Sequence, residues 1–205
     1  MSKQEQISNQ KKGLAVKDLI IAGVFSAIIF ICINISGGIF CVMPALTFYY
    51  PVGAALLAGP VYLLMLAKVP KHGPAVIAGI LMAVFIFATG MHWAMAVAYI
   101  IESIIADIIA GLTGFRSKKM NIVSYIIFCL GGTGSYLAYF INPQVWLSGM
   151  LDKGTPQEYL DTMQDSTHWW VLITMLAGTI LVAWLSGIIG SRLLRKQFEK
   201  AVITV

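Results

Sequence analysis

The stretch Ala94–Leu112, AMAVAYIIESIIADIIAGL, sets two carboxylates, Glu102 and Asp107, in an otherwise uncharged run. A charge at the centre of a membrane helix costs about 3 kcal/mol. Such acids should therefore face protein or a cavity, or hold a proton. Five residues of helix rotate through about 140°, so the two cannot share a face. Glu102 lines up with Met95, Tyr99 and Ala106, whereas Asp107 lines up with Ser103, Ala110, Gly111 and Gly114. Glu102, beside an aromatic, is the candidate floor of a ligand pocket opened from outside. Asp107, on a small-residue face suited to close helix contact, is expected to hydrogen-bond a neighbouring helix. An alternative gives the pair chemistry of its own, in an intramembrane enzyme or a stand-alone secondary transporter.

Other side chains with chemistry gather near helix ends. Phe48, Tyr49, Tyr50, Trp93, Trp146, Trp169 and Trp170 fall at one boundary of the apolar segments, while the other boundary has few aromatics besides Phe115 and Phe198. Trp and Tyr favour the headgroup level of a bilayer, but an interfacial belt alone should mark both sides. The surplus leaves Tyr50, Trp93 and Trp146 as candidates for stacking on a planar ligand. His92 and His168 lie beside tryptophans at the same boundary. A metal site wants three or four convergent ligands, and only Asp165 offers a third. Interfacial or substrate hydrogen bonding is the expectation for both histidines, and no metal or cofactor is assigned. Asn34 and Asn142 can each offer a bidentate amide to a ligand, or bond a helix backbone instead. His72 is expected only to be solvated, and Cys32, Cys41 and Cys129 lie too far apart for a CxxC pair.

The elements that position these residues follow from composition. Of 205 residues, 59% are hydrophobic and 11% charged, against about 25% charged in a soluble domain. Mean hydropathy is +0.83. An all-α, polytopic membrane protein follows. A crossing helix needs about twenty apolar residues, and six segments qualify: Lys17–Ser36, Pro51–Ala67, Ala75–Thr89, Trp93–Leu112, Ile122–Ile141 and Trp169–Leu194. The first is too long for a typical signal-peptide core and is read as a retained helix. Gly59-Pro60 predicts a kink in the second, turned inward because lipid cannot satisfy a broken backbone.

Basic residues orient the bundle. With the N-terminus in the cytoplasm, four groups lie inside: Lys3, Lys11, Lys12 and Lys17; Lys68 and Lys71; Arg116, Lys118 and Lys119; Arg192, Arg195, Lys196 and Lys200. Only Lys153 lies outside, with Asp152, Glu158, Asp161 and Asp165. This positive-inside pattern makes the net charge of +5 an orientation signal and argues against a nucleic-acid partner. A cytoplasmic tail over 1–16, a transmembrane domain over 17–194 and a second tail over 195–205 complete the plan. The outer loop GGIFCVMPALTFYY (Gly37–Tyr50) is too apolar for solvent and too broken for a helix, so it should fold back as a flap. In the outer loop Asn142–Thr167, Thr155, Pro156 and Glu158 predict a capping box and a short helix.

Enzymatic motifs are missing: no HExxH, no P-loop, and Ser135 in GGTGS lacks the Gly-x-Ser-Gly setting of intramembrane serine proteases. Small residues instead mark helix surfaces, with Ala22, Gly23, Ser26 and Ala27 on the first helix and Ala183, Gly187 and Ser191 on the last. These spacings let another helix approach closely.

Six helices in about 200 residues, a basic N-terminus, an apolar first outer loop and small residues on helix one resemble the S components of energy-coupling factor (ECF) transporters. The runs AGPVYLLMLAKVPKHGP (Ala58–Pro74) and ESIIADIIAG (Glu102–Gly111) resemble the Trep_Strep group, also called the MptD family. The resemblance implies a substrate-binding subunit in a bacterial cell membrane, taking up a vitamin or similar micronutrient. It implies as partners a transmembrane T component and two ABC-type ATPases. It further implies that the first loop covers an outward-facing site and that Ala22, Gly23, Ser26 and Ala27 contact the T component, GVFSA standing where the family has AxxxA. With Lys153 alone outside, a neutral or cationic ring compound suits the site better than an anion.

Overall fold

The structure is a computed structural model that describes residues 13–203, with side chains described as far as Leu194. Lys3, Lys11 and Lys12, and the side chains of Arg195, Lys196 and Lys200, lie outside the described residues, as does most of the expected 1–16 tail. The helices are α1 (Val16–Cys41), α2 (Tyr50–Ala54), α3 (Ala58–Lys68), α4 (Pro74–Ala88), α5 (Trp93–Gly111), α6 (Lys118–Leu130), α7 (Gly134–Ile141), α8 (Pro143–Asp152), α9 (Gln157–Asp165) and α10 (Trp169–Ile203). Short 3-10 turns at Pro44–Tyr49 and Gly131–Thr133 lead into α2 and α7. Five segments are long and apolar enough to cross a membrane, and α4 is a shorter apolar helix. The six expected spans are all present, and α10 runs on through the 195–203 backbone.

Two spans form the centre. Pro44–Lys68 is 61% buried and Lys118–Ile141 is 67% buried, against 28% for both α1 and α10. Around them α1 packs on α4, α4 on α5, α5 on α6, α6 on α10, and α10 returns to α3. The apolar exteriors of α1, α4, α5 and α10 are therefore the lipid-facing surfaces.

The break in the second span falls at residues 55–57, one turn before the expected position at Gly59-Pro60. Pro60 sits in the first turn of α3, where a missing N–H disrupts nothing. The carbonyls freed by the break do not meet lipid. The Tyr125 hydroxyl donates to Ala55 O (2.8 Å) and the Ser186 hydroxyl to Leu56 O (2.7 Å). Gly59 makes this possible, because a Cβ there would lie 2.4 Å from Ser186 Oγ. The break turns inward, as backbone satisfaction requires.

The outer loops differ from expectation in detail. Gly37-Gly38 does not end α1, which continues to Cys41. Gly37 is instead a flat seat for Tyr50, whose Cε2 would lie 2.8 Å from an added Cβ. The second loop holds two helices rather than one. In α9 the predicted capping box is not formed: the helix starts at Gln157, with extended Pro156 in the cap position and no side-chain cap.

Candidate functional site

Asp107 is buried, and its carboxylate accepts from the His72 ring Nδ1 (2.7 Å) and the Gly73 N–H (2.9 Å). It thereby closes the N-terminus of α4, whose cap residue Gly73 has a φ of +119° that disfavours a side chain. His72 is not merely solvated: its ring meets Phe115 edge-on and lies against Gly111, where a Cβ would come within 2.0 Å of Cε1. On the same face a Cβ at Gly79 would lie 2.1 Å from Ser103 Oγ. The small-residue stripe of α5 is thus a close-packing seam, and Asp107 belongs to it. Glu102 takes another position. It is half-buried at the edge between the packed face of α5 and its lipid face, with no hydrogen-bond partner among the described residues.

The outer half of the bundle centre is filled by aromatic side chains. Tyr50, Tyr99, Phe48, Tyr136, Tyr139 and Trp146 are all buried. The Phe48 ring lies 5.5 Å from Tyr136 and 5.0 Å from Tyr139, and Tyr139 meets Trp146 edge-on at 5.5 Å. The hollow expected near the outer rim is therefore occupied by protein. Tyr99 reaches inward across the glycine run: added Cβ atoms would lie 2.7 Å from its ring at Gly131 and 3.2 Å from its hydroxyl at Gly132. Gly134 meets the α5 backbone itself, with Ala94 O 2.7 Å from its would-be Cβ. These glycines let the central span approach α5 and bring Tyr99 beside Pro51 and Tyr50.

Polar groups in this core are unevenly matched. The Tyr62 hydroxyl bonds Ser124 Oγ, which donates on to Ala106 O. The Trp146 indole N–H donates to Ser135 Oγ at 3.0 Å, so Ser135 is a buried structural acceptor. By contrast, Tyr50 and Tyr99 are buried residues whose hydroxyls have no hydrogen-bond partner among the described residues, although the oxygens themselves are not sealed from solvent-sized space.

Both outer segments cover this cluster. The Tyr159 hydroxyl of α9 bonds Thr47 Oγ1 and donates to Cys41 O (2.9 Å), while Leu160 and Met163 are buried beneath α9. Burial raises the Tyr159 phenol above its ordinary range, partly offset by the Thr47 bond, so it stays a donor at neutral pH. At the side, His92 caps α5 by accepting from the Ala94 N–H and stacks at 6.2 Å on Trp146. Burial first, and Lys153 second, hold the His92 ring below its usual value, which keeps it neutral for this role.

Of the residues singled out in the sequence, Tyr50, Tyr99, Trp146 and His92 come together, and Glu102 stands at the margin. Asn34 is exposed on the outside of α1 and donates to Phe30 O on its own helix (2.9 Å). Asn142 caps α8 by accepting from the Val145 N–H (3.2 Å). Trp93 and His168 are exposed, His168 stacking on Trp170. Tyr136 and Tyr159 are parts of the cluster that the sequence did not single out, and Phe48 is read there only as one of the boundary aromatics. The available signal was GGTGSYLAYF, whose glycines imply a large side chain seated opposite. Among the described residues no three His, Cys, Asp or Glu gather in a way that could hold a metal ion.

The membrane-length apolar helices, inward polar bonding and apolar exterior define a multi-pass integral membrane protein. More particularly, residues 16–200 match the family described as "Hypothetical bacterial integral membrane protein (Trep_Strep)", and the chain belongs to that family. Its place is accordingly a bacterial membrane. No curated protein and no solved structure matches the chain.

Proposed function

We propose that this protein is the substrate-binding membrane subunit of an importer, an S component of the ECF type in the MptD group. In this reading it captures a small ring compound, such as a vitamin, from the outer side. A T component and two ABC-type ATPases supply the energy, and the chain itself is not an enzyme. The observation that carries the reading is the pair of buried tyrosines, Tyr50 and Tyr99, whose hydroxyls have no partner among the described residues and lie under two outer segments joined by Tyr159. Partnerless donors enclosed by aromatic rings are what a mostly apolar ligand site needs for orientation. With Lys153 the one basic residue that the charge pattern places outside, a neutral or cationic ring suits the site better than an anion. Because rings now fill the space, admission of a ligand requires α9 and the 44–49 turn to lift together.

Support for a partner surface comes from α1. Ala22 and Ser26 are buried in the bundle, whereas nothing lies within 4 Å of a Cβ built at Gly23, and Ala27 is exposed. The four residues thus divide between two faces, and only Gly23 and Ala27 remain open to another helix.

The test is to purify the chain from its native membrane and identify retained small molecules by mass spectrometry. Tyr50→Phe and Tyr99→Phe should each lower retention about tenfold, the worth of one hydrogen bond, with melting temperature unchanged. Unaltered retention in both variants would remove these tyrosines from the site. A chemically converted product formed by the chain without ATPases would instead favour the enzyme reading.

A further inference from the structure

A second feature lies on the lipid side of α4 and α5 and does not depend on the importer reading. The fifteen residues of α4 span about 22 Å, short of a hydrocarbon core of about 30 Å. Beside this short helix a cavity of about 720 Å³ opens to the exterior. Its floor is made by the small side chains of Ala83 and Ala96, and its walls by Val84, Phe87, Trp93 and Val97. The floor is buried, while the walls are exposed. No charged residue lines it.

At bilayer depth such a cleft cannot stay empty without forfeiting dispersion contacts along both walls. Ala88 and Trp93, which line the cavity, flank the turn from α4 to α5, and in that turn Met91 O accepts from Lys153 Nζ at 2.8 Å. An ammonium has three donors, and this one uses a single acceptor among the described residues. Lys153 is the only basic residue that the charge pattern places outside. A cation bonded to the turn that joins the two walls of an apolar groove matches the two ends of one molecule: an acyl chain in the groove and a phosphate on the ammonium. A second protein helix would fill the groove but supply no anion for the ammonium. Hydrophobic mismatch at the short helix favours the same occupant, because lipid adapts to it where a rigid helix does not.

We propose that the groove between α4 and α5 is an outer-leaflet phospholipid site, with an acyl chain lying along Ala83 and Ala96 and the phosphate on Lys153.

The full chain in detergent should be titrated with phosphatidylglycerol, and separately with a diacylglycerol of the same chains, and bound lipid read by native mass spectrometry. Ala88→Trp and Val84→Trp fill the groove from exposed positions and are each expected to lower binding of both lipids about tenfold. Lys153→Gln should lower phosphatidylglycerol binding about fivefold and leave diacylglycerol unchanged. Binding equal to that of the parent in both tryptophan variants overturns the site. So does equal loss of the two lipids in Lys153→Gln. A parent that is dimeric through this face, and monomeric in Val84→Trp, would assign the groove to a second copy instead.

Discussion

His92 shows how one side chain can serve both a helix end and an aromatic cluster. Its neutral ring accepts from the Ala94 N–H and stacks on Trp146. Burial, with Lys153 as the second cause, depresses its proton affinity in the fold, so the unfolded chain binds the proton more readily. The stability it contributes is therefore complete above the imidazole's usual value of about 6.5 and is lost as pH falls through the lower folded value. Thermal unfolding in detergent should show a decline on acidification below that usual value. His92→Asn keeps a capping side chain and should remove this component of the decline; a persistent decline would place the titration elsewhere. Asp107 teaches the complementary lesson. Its acid is expected from the sequence to hydrogen-bond a neighbouring helix, and the carboxylate is spent on the end of α4.

Among the helices, α1 offers the sharpest separation of roles. Residues four apart share a face, so Ala22 pairs with Ser26 inside the bundle and Gly23 with Ala27 outside. Ala22→Leu must overpack a fully buried position and should cost about 1–3 kcal/mol. Gly23→Leu meets open space, and a leucine also has better helix propensity than glycine. It should leave melting unchanged or slightly raised while abolishing association with a T component in co-purification. If the two variants lose stability alike, Gly23 is an internal contact. The second span makes a related point about breaks. Its irregular residues 55–57 survive because Tyr125 and Ser186 arrive from other helices to take up the freed carbonyls.

Across the whole molecule, polarity runs from a basic inner face to an aromatic, acidic outer face. Lys71 pairs with Asp18 at 2.8 Å on the inner side, tying the α3–α4 turn to α1. At that depth of exposure the pair is worth little in stability, and its value is positional. The orientation can be checked directly. In a cysteine-free background, Ser148→Cys and Gly154→Cys should react with a membrane-impermeant maleimide on intact cells. Ser117→Cys should react only after permeabilisation; the reverse result would invert the bundle.

The six spans and the all-helical class were legible from residue order, because lipid demands long apolar helices. The small-residue seam of α5 was legible too, since helical periodicity fixes which residues share a face. Periodicity does not say which neighbour a face meets. For that reason Gly37-Gly38 reads as a break until Tyr50 packs on it, and Asn34 reads as a ligand donor until its helix turns it to the exterior. Only the tertiary structure brought Tyr50, Tyr99 and Tyr136 together, because their meeting depends on contacts between distant segments of the chain. The sequence by itself determined that this chain lives in a membrane. Packing decided which of its polar groups are consumed in holding the bundle and which are left without a partner among the described residues.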